Sequence, residues 1–83
     1  MNLIDVRTNE EFISGSVPNA INVPLSEIVS RIDELRSLQP ILVFCAAGLR
    51  SQKAMDFLIQ HGISEVENGG GWLEVKARVS QSL

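Results

Sequence analysis

The single cysteine of this 83-residue chain, Cys45, has the sequence surroundings of a reactive thiol. It ends the apolar run 41–44 and precedes a loop of small and apolar residues, 46–49, which leads through Arg50 and Ser51 into a helical pattern. The N-terminus of a helix presents unpaired backbone N–H groups and the positive end of the helix dipole, so it stabilises an anion. Because that environment lowers the pKa of a thiol, we predict that Cys45 is a catalytic nucleophile.

The loop after Cys45 has the composition of an anion-binding nest. Its small side chains leave the backbone N–H groups able to turn toward the sulfur, and Gly48 permits backbone angles that residues with a Cβ resist. Arg50 offers a planar fork of donors to an oxyanion, and Ser51 is expected to cap the following helix. Such a loop would hold a thiolate beside a small oxyanion, and would need no other catalytic side chain.

The elements that must position this loop alternate along the chain. Four short apolar runs are predicted to be strands: 3–6, 20–23, 41–44 and 65–68. Thr8 and Glu11 have the spacing of a capping box, which predicts a short helix that ends at Gly15. A third helix is expected from about 51 to 61, with Gly62 in the left-handed position after its end.

A second helix is predicted between the second and third strands. Ser26 is expected to cap it, and Pro40 stops it before the third strand. Its predicted apolar face consists of Ile28, Val29, Ile32, Leu35 and Leu38.

This alternation predicts an α/β domain with a small parallel sheet of four to five strands and helices on both faces. Ligands bind outside the carboxyl ends of such strands, which is where the Cys45 loop emerges. The segment 68–71 is expected to be a tight turn. Asp5 and Arg7 are expected to form a structural pair, and Trp72 to pack on the core.

Composition limits the remaining possibilities. The 83 residues suffice for one domain, 1–83, and the net charge of −3 with seven basic residues argues against a nucleic-acid partner. No membrane span or signal peptide is apparent, so we expect a cytoplasmic protein, or a periplasmic one if a leader was removed. We expect no metal or other cofactor, because His61 has no cluster of further ligands around it. The oligomeric state is left open.

Four motifs, in this order and spacing, resemble a single-domain rhodanese of the phage-shock type over nearly the whole chain. They are Leu3-Ile4-Asp5-Val6-Arg7 with Glu11-Phe12, the segment from Gly15 to Leu25, the segment from Cys45 to Ser51, and Val66-Glu67-Asn68-Gly69-Gly70-Gly71. The chain departs from the family pattern at Ser16, where His is common, and at Trp72, which follows the glycines directly.

The resemblance implies a thiosulfate sulfurtransferase that needs no cofactor. Cys45 would take the outer sulfur of thiosulfate, release sulfite and pass the persulfide sulfur to cyanide or a thiol. The cradle for substrate and persulfide would be Ala46, Ala47, Gly48, Leu49, Arg50 and Ser51, with Arg50 contacting the sulfonate. Two alternatives stay open: a non-enzymatic persulfide carrier or binding domain, and a thiol phosphatase or arsenate reductase. Related phosphatases have a loop one residue longer, so the four residues between Cys45 and Arg50 favour sulfur chemistry.

Overall fold

The computed structural model describes residues 1–81 and contains a four-stranded parallel sheet. Its strands are β1 (Asn2–Asp5), β2 (Ile21–Asn22), β3 (Ile41–Cys45) and β4 (Val66–Gly71), in the order β2-β1-β3-β4. All three strand pairs are parallel. The helices are α1 (Asn9–Ser14), α2 (Ile32–Ser37), α3 (Leu49–Gln60) and α4 (Trp72–Gln81), with a turn of 3-10 helix at Leu25–Glu27. The predicted fold class is confirmed.

Strand β3 is buried on both faces and joins the two halves of the core. Ile41, Val43 and Cys45 belong to a cluster on one face of the sheet, whereas Leu42 and Phe44 belong to a cluster on the other. This alternation follows from the two-residue period of a strand. The apolar run that precedes the cysteine therefore anchors the site in both halves of the core.

Helices cover both faces of the sheet, as expected. On the first face, Leu35 of α2 and Leu58 of α3 are fully buried in the larger cluster. On the second face, Val75 of α4 packs with Val17 and the β3 side chains, and Trp72 lies against this smaller cluster. The prediction that Trp72 packs on the core is confirmed.

The capping box at the start of α1 is confirmed. The Glu11 backbone N–H donates to Thr8 Oγ1 at 3.2 Å, and the Thr8 N–H donates to Glu11 Oε1 at 3.1 Å. Gly15 follows the last residue of the helix with φ 149°, a value that favours glycine. The short helix is thus defined at both ends by residues that the sequence pattern identified.

The prediction of one continuous second helix is wrong. Ser26 does not cap a helix but lies within the 3-10 turn, and α2 begins only at Ile32. Ile28 and Leu35 are buried as expected, but Val29 is 66% exposed. The chain turns between the two segments, where Arg31 donates from Nη1 to the Asn22 carbonyl at 3.2 Å, a tertiary contact that a helical period does not reveal.

The end of α3 is confirmed, whereas its predicted start is two residues too late. The helix begins at Leu49, and Gly48 precedes it in the left-handed conformation with φ 103°. At the other end, Gly62 has φ 84°, and the Ile63 N–H donates to the Leu58 carbonyl at 2.9 Å. This is the pattern expected of a glycine just after a helix.

The predicted turn at 68–71 is wrong, because β4 continues through these residues. Phe44 pairs with Gly70 and Cys45 with Gly71, after a register shift that leaves Gly69 without a partner in the pairing. Helix α4 then follows directly, although the sequence pattern had not predicted it. The domain expected over 1–83 includes residues 82 and 83, which lie outside the described residues.

Candidate active site

Cys45 lies at the carboxyl edge of the sheet, where β3 ends and the loop to α3 begins. The residue is only 1% exposed and is held between β1 and β4, next to Gly71. The loop that follows is more open, since Ala46 and Ala47 are exposed and Leu49 is 79% exposed. A buried sulfur therefore lies beneath a loop that solutes can reach.

The Cys45 thiol is surrounded by hydrogen-bond donors. The Gly48 N–H donates to Sγ at 3.0 Å, and Ser51 Oγ lies 3.4 Å from Sγ. Burial raises the pKa of the thiol, but hydrogen bonds outweigh this effect and bring the pKa to about 7. The donors are the Ser51 hydroxyl and the backbone N–H groups of Ser51, Ala47 and Gly48. The thiol is therefore much more ionised at neutral pH than a free cysteine is.

The glycines at the end of β4 let the backbone approach this loop closely. A Cβ on Gly71 would lie 2.7 Å from the Ala46 carbonyl oxygen, and a Cβ on Gly48 would lie 3.4 Å from the Gly70 Cα. A side chain at Gly71 would therefore push the residue that follows the nucleophile. Because the segment 68–71 has the composition of a turn, the sequence did not predict that it lies against the Cys45 loop.

Ser51 is fully buried and does not act as a helix cap. Its hydroxyl lies 2.7 Å from Asn68 Oδ1 and 3.1 Å from the Gly48 carbonyl oxygen, in addition to its contact with the sulfur. The capping prediction is wrong because Gly48 already occupies that position and Ser51 lies three residues into the turn. Asn68 reaches the site across the sheet from β4, and no local pattern in the sequence could have indicated it.

Arg50 is paired with a carboxylate of this same chain. Nη1 donates to Glu11 Oε1 at 2.7 Å, and Nη2 donates to Oε2 at 3.0 Å. Hydrogen bonds from Arg50, and then from the Thr8 backbone, lower the pKa of Glu11 to about 2. Glu11 raises the pKa of Arg50, with smaller contributions from the charges of Cys45 and Asp5. The guanidinium therefore lies within electrostatic reach of the sulfur while its donors are engaged by Glu11.

Asp5 and Arg7 form a buried ion pair beneath the site, as the sequence predicted. Arg7 Nη2 donates to Asp5 Oδ2 at 2.7 Å, and Ser16 Oγ donates to the same oxygen at 2.7 Å. Arg7 also donates to the Gly15 carbonyl at 2.6 Å and lies over the Trp72 ring, 4.9 Å from its centroid. These contacts tie β1, the end of α1 and the start of α4 together.

A cleft of about 340 Å³ opens beside Arg50. Its lining residues are Val6, Thr8, Pro24, Leu25, Ser26 and Arg50. A larger groove of about 480 Å³ lies on the α4 face, between the chain start and the end of α4, but none of its lining residues belongs to the Cys45 loop. Of these two spaces, only the smaller cleft is lined by a predicted site residue, Arg50.

The charged groups of residues 1–81 do not form a metal site. In this part of the chain no group of three or more His, Cys, Asp and Glu side chains is placed to hold a metal ion. Within the same range, no helix is long and apolar enough to cross a membrane.

The fold and the site define an α/β domain in which the Ser51 hydroxyl and backbone N–H groups lower the pKa of a cysteine at a strand end. Comparisons with known proteins specify the family. The model of the rhodanese-like domain matches residues 1–78. This chain therefore belongs to the rhodanese family, whose members include sulfurtransferases.

Individual relatives agree with this assignment. The chain is 33% identical over 76 residues to a sulfurtransferase from Allochromatium vinosum, a match that covers 92% of this chain and 71% of that protein. It is 36% identical over 74 residues to the thiosulfate sulfurtransferase PspE of Escherichia coli, covering 87% of this chain and 71% of PspE. A solved structure of a rhodanese with anions from E. coli has a TM-score of 0.78 at 36% identity, and 88% of each chain is covered.

Proposed function

We propose that this protein is a thiosulfate sulfurtransferase that works through a persulfide on Cys45. In the first half-reaction the Cys45 thiolate attacks the outer sulfur of thiosulfate. A new S–S bond forms to Sγ, the S–S bond of thiosulfate breaks, and sulfite leaves with the electron pair of that bond. In the second half-reaction a thiolate or cyanide attacks the outer persulfide sulfur, and Cys45 leaves as a thiolate.

The observation that carries this proposal is the ring of donors around Sγ, led by the Gly48 N–H at 3.0 Å. Sulfite is a stable anion that needs no proton to depart, so the reaction requires stabilised negative charge rather than a general acid. Backbone N–H groups of the loop would stabilise the negative charge on Sγ, both in the attacking thiolate and when Cys45 leaves the persulfide, and they cannot be titrated. The same groups could hold the charged outer sulfur of the persulfide between the two half-reactions.

Substrate would reach the sulfur through the exposed loop Ala46–Leu49. The predicted substrate-binding residues are the six that follow the nucleophile: Ala46, Ala47, Gly48, Leu49, Arg50 and Ser51. Ser51 contacts Sγ directly, whereas Arg50 would have to share its donors between Glu11 and the sulfonate. The resemblance to PspE in particular supports thiosulfate as the donor.

Intact-mass measurement tests the proposed intermediate. After incubation with thiosulfate, the native protein should gain the mass of one sulfur atom and should lose it on treatment with a thiol. Cys45→Ser is the matched control, because it removes the nucleophile and changes one atom. No added sulfur on the native protein, or equal addition to the variant, would contradict the mechanism. Sulfite release over many cycles with an acceptor thiol distinguishes an enzyme from a stoichiometric carrier.

A further inference from the structure

The Ser51 hydroxyl has one proton and three possible acceptors. Asn68 Oδ1 lies at 2.7 Å, the Gly48 carbonyl oxygen at 3.1 Å and Cys45 Sγ at 3.4 Å. Ser51 is completely buried, so these three groups must satisfy it. The shortest of these contacts is the one to Asn68, while 3.4 Å to Cys45 Sγ is within hydrogen-bond distance for the larger sulfur atom, so the two acceptors compete.

The orientation of the Asn68 amide is fixed by its other partners. Oδ1 accepts a hydrogen bond from the Gly70 N–H at 3.0 Å, whereas Nδ2 donates to Gln52 Oε1 at 3.1 Å and to the Gly48 carbonyl at 3.3 Å. The atom that faces the Ser51 hydroxyl is therefore an oxygen, which can only accept. A Ser51 proton given to Asn68 is unavailable to the sulfur.

We propose that Asn68 is a positioning residue that competes with the Cys45 thiolate for the Ser51 hydroxyl proton, and thereby sets the fraction of Cys45 that is ionised. When Cys45 is a neutral thiol, Ser51 donates to Asn68, and its oxygen can accept from the S–H group. When Cys45 ionises, the hydroxyl turns to donate to Sγ, and Asn68 Oδ1 keeps the Gly70 N–H. The buried hydroxyl thus has an acceptor in both states.

The competition has a consequence for turnover that rests on the proposed function. Sγ carries a negative charge before sulfur uptake and loses it when it becomes the inner atom of a persulfide. In the persulfide state the Ser51 proton can return to Asn68, so that no buried donor is left unsatisfied during the cycle. Asn68 would then moderate the reactivity of the resting thiol and stabilise the loaded state.

Other charged groups near Cys45 are not altered by changes at position 68. Arg50 on α3 is paired with Glu11 of α1, and Asp5 at the end of β1 is paired with Arg7. On α4, Glu74 accepts a hydrogen bond from the Gly71 N–H at 3.2 Å. Asn68 also bonds the carbonyl of Gly48, whose N–H donates to Sγ, so a change of thiol ionisation in an Asn68 variant is assigned to the hydroxyl only if it disappears without Ser51.

The test is the pH dependence of alkylation by iodoacetamide, which reports one thiol because Cys45 is the only cysteine. Asn68→Ala should lower the midpoint by about half a unit to one unit, the effect of one net hydrogen bond. Ser51→Ala should raise the midpoint. In the Ser51→Ala background, Asn68→Ala should have no further effect, a coupling that a merely structural role would not produce.

Two further variants keep the test decisive. Asn68→Leu removes the acceptor at similar volume and should give the same fall in midpoint if Asn68→Ala does not fold. Gln52→Ala breaks the bond from Asn68 Nδ2 to Gln52 Oε1, together with the exposed contact from Gln52 to Asp56, and should leave the midpoint unchanged. An unchanged or higher midpoint in the Asn68 variants, or an equal fall without Ser51, overturns the proposal. Because alkylation needs no thiosulfate, failure here is distinguishable from failure of the proposed sulfurtransferase reaction.

Discussion

The Glu11–Arg50 ion pair should reduce the attraction of the site for an anionic donor, and Glu11→Gln measures by how much. Gln retains an oxygen that can accept from the Thr8 N–H and from Arg50, so the start of α1 is preserved, since Gln also serves in a capping box. The substitution therefore removes one negative charge and the bond from Arg50 Nη2 to Oε2, and keeps the contacts of Oε1. Arg50 would then carry a positive charge that no directly paired carboxylate offsets.

The expected size of the change in affinity for thiosulfate follows from how exposed the Glu11 and Arg50 side chains are. Both side chains of the pair are 35% exposed, so the pair is only partly shielded from water. Pairs of this kind contribute up to about 1 kcal/mol. If that attraction becomes available to thiosulfate, the KM for thiosulfate should fall by up to about fivefold. Since the charges are accessible to ions, the fall should shrink as salt is added.

Steady-state sulfite release with varied thiosulfate measures this KM. Glu34→Gln is the matched control, because it removes the same charge from the Arg31–Glu34 pair on α2. That control should leave KM unchanged, and Arg50→Ala should abolish the gain from Glu11→Gln. A KM that stays the same or rises in Glu11→Gln would refute the reasoning, as would an equal fall in Glu34→Gln.

The pH dependence separates this pair from the thiol. Hydrogen bonds from Arg50 and the Thr8 backbone lower the pKa of Glu11 to about 2 from an ordinary value of 4.5. A lowered pKa means that the pair stabilises the fold fully above the ordinary value and is lost as pH falls through about 2. Between pH 5 and 8, the ratio of KM values for wild type and Glu11→Gln should therefore stay constant, while the rate should rise through the pKa of Cys45, about 7.

The remaining predictions concern the frame of the site. Gly71→Ala should destabilise the protein by about 1–3 kcal/mol and slow alkylation of Cys45, because the added Cβ would lie 2.7 Å from the Ala46 carbonyl. Gly69→Ala is its control: the nearest atoms to the added Cβ are in the side chains of Leu42 and Val75, so urea denaturation should show a loss of stability without slower alkylation. Asp5→Asn leaves Arg7 buried without its charge partner and should cost about 3–5 kcal/mol in urea denaturation; a loss below 1 kcal/mol would contradict this account.

The parts of the fold that the sequence predicted are those whose causes are local. The capping box at Thr8 needs only residues three apart, and the strand before Cys45 is recognisable as an apolar run that ends where small residues begin. The second helix was predicted wrongly because a helical period fits Ile28 and Leu35 whether or not the chain turns between them. The contact from Arg31 to the Asn22 carbonyl that accompanies this turn is tertiary and leaves no periodic signal.

The candidate nucleophile could be found from local sequence, whereas the residues that lie around it from other elements could not. Cys45 and Gly48 lie in one loop, so their relation follows from chain connectivity. Asn68 reaches the site from β4 and lies 17 residues from its partner Ser51 along the chain. Glu11 reaches it from α1 and lies 39 residues from its partner Arg50. Such contacts are set by how the sheet assembles. The segment 68–71 was misjudged for a related reason: glycines that permit close backbone approach have the same composition as glycines that make a turn.

The charge of Arg50 requires a nearby anion, but the sequence does not say which anion that is. The sequence predicts that Arg50 offers its fork of donors to a substrate oxyanion, and a cation in the first turn of a helix is indeed stabilised by a nearby anion. The structure provides the anion from within the chain, since Glu11 accepts both hydrogen bonds from the guanidinium. Arg50 alone is therefore weak support for thiosulfate. The backbone N–H groups around Sγ are stronger support for thiolate chemistry, because they have no titratable competitor and are directed at the atom that holds the charge of the free thiolate.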